Sequence, residues 1–146
     1  MKTLSAADQL YLAGELGQLA DCLDAYANDP KCGPEDAAKL RDSADRIRRV
    51  GQQINDDGAL AAFADASAAF AKLSDITQKA NEAAHDLAKE RAAIAHFTSL
   101  ATAAVSFGLA LAKGGDVWGA ASKLLAAIQD SNKATLGSGA RKHKHP

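Results

Sequence analysis

Glu82-Ala83-Ala84-His85 has the spacing of a metal-ligating helix motif within this 146-residue chain. Residues three apart project from one helix face, so such a pair can offer a carboxylate and an imidazole to the same ion. A di-iron bundle needs a second copy on another helix, which this sequence lacks and only a symmetric dimer would supply. With Lys79, Asp86 and Lys89 around it, the stretch reads as a solvated helix face, and no metal or other cofactor is inferred.

Nucleophilic chemistry has no firmer footing. Cys22 and Cys32 match no metal or redox spacing, and neither has a histidine placed as in a cysteine-nucleophile family. There is no Gly-x-Ser-x-Gly elbow and no glycine-rich phosphate loop. His85 and His96 would stand three turns apart on one helix, too far for a shared site. No catalytic residue is assigned, no small-molecule substrate is inferred, and the chain reads as a non-enzyme. Both cysteines are expected as thiols in a reducing compartment, with a local bridge sterically conceivable on oxidation.

The elements that carry these residues follow from composition and periodicity. Hydrophobic residues make up 47%, charged residues 24% and aromatic residues only 5%. Alanine dominates the apolar share, which favours closely packed helices over a sheet. The fold class is therefore all-α: an antiparallel bundle of four to five helices, with a single domain over 1–136 and a flexible basic tail over 137–146. That tail, Gly-Ser-Gly-Ala-Arg-Lys-His-Lys-His-Pro, has nothing to bury, and its composition also suits appended sequence.

Ser5 with Asp8 three residues on is a variant capping box, and Leu12, Leu16, Leu19, Leu23 and Tyr26 then alternate by four and three. Asn28-Asp29-Pro30 ends that helix and Pro34 opens the next, with Glu35 and Asp36 in its first turn. Ala37, Leu40, Ala44, Ile47, Gly51 and Ile54 form the second stripe, which Asn55-Asp56-Asp57-Gly58 should stop. From Ala59 to Lys113 there is no proline and one glycine, so a long third helical segment is expected. A seven-residue repeat runs along it through Phe63, Ala66, Phe70, Leu73, Thr77, Ala80, Ala84, Leu87, Arg91 and Ile94. An unbroken rod of that length would measure roughly 80 Å. A break is therefore expected near Ser74-Asp75, where Asp75 and Gln78 have cap spacing. Gly114-Gly115 ends the segment, and Asp116 caps a last helix.

The residues from Ala92 to Ala112 include no Asp, Glu, Lys or Arg. That length and freedom from charge meet the minimum for crossing a bilayer. Eight alanines and the polar His96, Thr98, Ser99, Thr102 and Ser106 make it a poor span, and a central helix buried on nearly all sides reads the same way. The apolar side chains of this C-terminal hairpin are Phe97, Leu100, Val105, Phe107, Leu109 and Leu111, then Val117, Trp118, Leu124, Leu125 and Ile128 after the turn. In outline the pair resembles the hydrophobic hairpins of bacterial α-helical pore-forming toxins. That resemblance implies a soluble form that hides the hairpin and a membrane form that exposes it.

Net charge is −1, split as −2 over 1–55, −3 over 56–112 and +4 over 113–146. Nothing here favours a polyanionic partner, and Asp42 and Asp45 interleave with Arg41, Arg46, Arg48 and Arg49, so nucleic acid is not expected. The first helix lacks the apolar core of a secretory signal, which points to a cytoplasmic protein, with signal-independent export or membrane association as the alternative. Gly14 and Gly17 interrupt a strong helix, where each costs about 1 kcal/mol relative to alanine, and so suggest close helix contact. Ala95, Ser99, Thr102 and Ser106 trace a similar face of small side chains. The reading is a non-catalytic interaction protein that binds a protein partner or a second copy. Its contact would be the apolar face Leu12, Leu16, Leu19, Leu23 and Tyr26, or the groove at Gly14 and Gly17.

Overall fold

The computed structural model describes residues 2–57, 61–90 and 94–143, with side chains over 2–56, 61–90 and 94–134. Among these residues five helices form: α1 (Ala6–Ala27), α2 (Pro34–Asp57), α3 (Ala66–Lys89), α4 (Ile94–Lys113) and α5 (Val117–His143). Two short strands, β1 (Lys2–Thr3) and β2 (Ala62–Phe63), pair antiparallel with Lys2 opposite Phe63 and Thr3 opposite Ala62. The strands were not expected; two residues are too few to show an alternating pattern.

Local chemistry explains the helix ends. Ser5 Oγ accepts the Asp8 N–H at 3.2 Å, and Asn28 caps the far end of α1. In the turn, Asp29 Oδ1 accepts the Lys31 N–H at 2.8 Å, and Pro34 opens α2. Gly114 has φ 75°, a left-handed conformation that glycine adopts without strain, and the N–H groups of Gly114 and Gly115 both reach Ala110 O at 3.0 Å. Asp116 Oδ1 then accepts the Gly119 N–H at 3.0 Å, starting α5.

The expected break near Ser74-Asp75 is corrected. Both residues lie inside α3, and the third segment divides at Glu90, the C-cap of α3, with α4 resuming at Ile94. Leu73, Ile76 and Thr77 are buried on either side of Ser74-Asp75, so an interruption there would expose a continuous apolar stripe. Asp75 instead pairs with Lys79 one turn on, 2.9 Å away. The true N-cap is Asp65, whose Oδ1 accepts the Ala68 N–H at 3.2 Å, so Phe63 sits in β2 ahead of the helix. Gly58, Arg91, Ala92 and Ala93 lie outside the described residues, as does 144–146. The backbone of 137–143 continues α5 where a tail was expected.

α1 packs on α2 and α3, α2 on α4, and α5 on both α3 and α4, around one continuous core. Leu12, Leu16, Leu19, Leu23, Leu40, Ile47, Leu73, Leu87, Phe97, Leu100 and Phe107 fill it. Burying each such side chain contributes about 1.5–3 kcal/mol. α1 and α2 pack at ordinary van der Waals distance at Gly51, where an added Cβ would lie 3.5 Å from Ala13 O. α4 approaches α2 at Gly108, where a Cβ would collide with the Val50 side chain. Arg48 on α2 reaches Asp21 at 2.7 Å and Asp24 at 2.6 Å on α1. Arg46 pairs with Asp42 at 3.1 Å, and Arg41 donates to Asn28 Oδ1 at 3.0 Å. The interleaved charges thus form a salt-bridged wet face.

Candidate interaction surfaces

The apolar stripe of α1 is committed to the core. Leu12, Leu16, Leu19 and Leu23 are buried, and half-buried Tyr26 rests its ring 4.8 Å from that of Phe97. These leucines offer no surface in this fold, because α2 and α3 cover them. Gly14 and Gly17 are different: Gly14 is exposed and Gly17 half-buried, and nothing lies within 4 Å of a Cβ added at either. Leu10, 64% exposed, precedes Gly14 by one turn on the same face. Leu10, Gly14 and Gly17 therefore line an uncharged outer strip of α1. Leu10 lies off the buried stripe, and an apolar residue on the wet side of a helix is the signal sequence reading missed.

Beside that strip, Tyr11 is 40% exposed, with its ring edge-on to Phe70 at 5.6 Å. Its hydroxyl accepts from Gln78 Nε2 at 2.6 Å. Further along the α1–α3 seam, Asn81 Nδ2 donates to Glu15 O and Oε2 at 2.9 and 3.0 Å. Cys22 Sγ then meets His85 Nδ1 at 3.8 Å. This thiol–imidazole pair joins residues 63 positions apart, so no spacing rule could have found it. Burial pushes the Cys22 thiol up, away from the thiolate a nucleophile needs. Among the described residues no group of three or more His, Cys, Asp or Glu converges, and Cys22 and Cys32 are free thiols.

The hairpin residues divide by burial. Phe97, Leu100, Phe107, Leu111, Val117, Leu124 and Ile128 are buried, while Val105, Leu109 and Leu125 are half-buried against the core. α4 is not buried all round, however. Ala95, Ser99, Thr102 and Ser106 form an exposed face, with clefts of about 100 and 590 Å³ on its two sides. The apolar side therefore turns inward and the hydroxyls meet water, which is why the segment reads as nearly uniform in sequence.

Trp118 stands apart from its neighbours at 44% exposure. It lies one residue past buried Val117, on the rim of α5, and packs edge-on against Phe63 with centroids 5.8 Å apart. Lys72 Nζ from α3 sits 5.9 Å from the Trp118 ring centroid. Two clefts of about 350 and 400 Å³ meet at these two side chains. Sequence periodicity could not pair Lys72 with Trp118, because they belong to different helices.

No family model, curated protein or solved structure matches this chain.

Proposed function

We propose that this chain is a non-catalytic interaction protein, an antiparallel helical bundle that receives a helix from a second copy or a protein partner on the outer face of α1. The observation that carries this reading is the alignment of exposed Leu10 with Gly14 and Gly17, whose outward sides are open. Glycines at this spacing let another helix bring its backbone close, and Leu10 supplies an apolar anchor whose remaining exposed surface is worth about 1–2 kcal/mol when covered. Nothing in the core requires either glycine, whereas Gly108 is explained by the Val50 side chain of α2.

Mass in solution tests this directly. Light scattering on the full chain over a wide concentration range is expected to show an assembly that Leu10→Asp dissolves without loss of helix content. For a different partner, proteins retained by the wild type are expected to be lost from Gly14→Gln/Gly17→Gln. A monomer at every concentration, with retained proteins indifferent to all three substitutions, sinks the proposal.

A second reading has one observation in its favour. α4 is long and apolar enough, by length and composition, to cross a membrane, with 20 residues and mean hydropathy 1.6. In this reading α4 and α5 leave the other helices as a hairpin, exchanging core contacts for lipid by a shift in population. Dye leakage from vesicles of neutral and of anionic lipid tests it; intact vesicles of both kinds from pH 5 to pH 8 remove it.

A further inference from the structure

We propose that the cleft between α3 and α5 binds a small planar aromatic monoanion, such as an aryl carboxylate, stacked on Trp118 with its charge on Lys72. The cleft measures about 350 Å³, within the range of small-molecule sites. Ile76, Trp118 and Leu125 give it an apolar wall, while Lys72, Asp75 and Lys79 stand around it.

Charge decides the class of ligand. Asp75 and Lys79 neutralise each other at 2.9 Å, whereas Lys72 makes no ion pair among the described residues. One cation is therefore left over beside an apolar wall. A single negative charge matches it; a dianion would leave a charge uncompensated next to Asp75, and a cation would meet Lys72 directly. At 5.9 Å from the ring centroid, Lys72 is near the outer limit of a cation–π contact. It can turn toward a carboxylate with little loss.

Shape decides the planar body. Phe63 belongs to the neighbouring cleft and meets the indole at 69°, so among the described residues no ring is stacked on Trp118. An offset stack, an arrangement aromatic pairs favour, is what a flat ring entering between α3 and α5 would add. This site stands on α3 and α5, and its occupancy is independent of whether α1 binds another helix.

Trp118 is the only tryptophan, so its indole N–H gives one assignable resonance in a ¹H–¹⁵N correlation spectrum of the full chain. Naphthalene-2-carboxylate is expected to shift that resonance saturably. Lys72→Gln, or replacing the probe by naphthalene-2-carboxamide, is expected to weaken binding about two- to fivefold, the loss of one solvent-exposed ion pair. The proposal is overturned by no saturable shift up to the probe's solubility limit, by unchanged affinity in Lys72→Gln, or by equal binding of 2-naphthylmethylammonium.

Discussion

Asn81 on α3 donates its side-chain N–H to the main-chain carbonyl oxygen of Glu15 on α1 at 2.9 Å, tying a buried amide to the backbone of another helix. The same nitrogen lies 3.0 Å from Glu15 Oε2 and 3.2 Å from Thr77 O, while Asn81 Oδ1 is buried with no hydrogen-bond partner. The donor side of the amide is therefore used to the full, and its acceptor side is uncompensated.

That asymmetry makes the site sensitive to charge. Asn81→Ala is expected to cost about 1–2 kcal/mol in urea unfolding. Asn81→Asp should cost more at neutral pH, because a carboxylate there would face the oxygens of Glu15 and Thr77. Burial and Glu15 would raise the new acid's pKa in the folded state, so the unfolded chain would bind fewer protons and stability would fall as pH rises. The deficit relative to Asn81→Ala is expected to grow from pH 4 to pH 7; a deficit that is flat with pH would refute this account of the seam.

Gly14→Ala and Gly17→Ala separate folding from association. An added Cβ meets nothing within 4 Å at either position, so each change is expected to stabilise the monomer by up to about 1 kcal/mol. Both should weaken helix docking on α1. Higher stability with unaltered association in light scattering would show that the glycines serve no contact.

Gly108→Ala is expected to do the reverse. Its Cβ would enter the space of Val50 and lie 3.5 Å from Leu16 Cδ1, in the middle of the core. A loss of about 1–3 kcal/mol should appear in thermal unfolding. Val50→Ala in the same chain should recover part of it, since the two changes share one volume.

The thiols should be slow nucleophiles. Burial raises the Cys22 pKa; partial burial, with the charges of Asp36 and Asp29, raises that of Cys32. Less thiolate is then present at a given pH, and alkylation should be slower than for a peptide thiol and accelerate as pH increases. Mass spectrometry of an iodoacetamide time course is expected to show Cys32 modified before the more deeply buried Cys22. Asp36→Asn should hasten Cys32, and an unchanged rate would discount the charge effect.

Much of the secondary structure was legible because caps and stripes are local. Ser5, Pro34, Gly114-Gly115 and Asp116 act within a turn or two of themselves, and each lies at the helix end it marks. The stripe from Leu73 through Thr77, Ala80, Ala84 and Leu87 is buried as its period requires. The division at Glu90 was not legible, since no proline or glycine marks it and the cap spacing at Asp75 pointed elsewhere.

The all-helical class, the helix ends at Ser5, Pro34, Gly114 and Asp116, and the buried stripes of α1 and α2 are written in the sequence, because they follow from a period of 3.6 residues and from short-range caps. What each apolar side faces was settled by the packing of the helices. It placed Leu12 and Leu19 in the core, left Leu10 and Trp118 at the surface, and brought Lys72 to Trp118 and Cys22 to His85. Those outcomes depend on which helix lies against which, and helix pairing is set by packing between residues far apart in the chain, where periodicity carries no information.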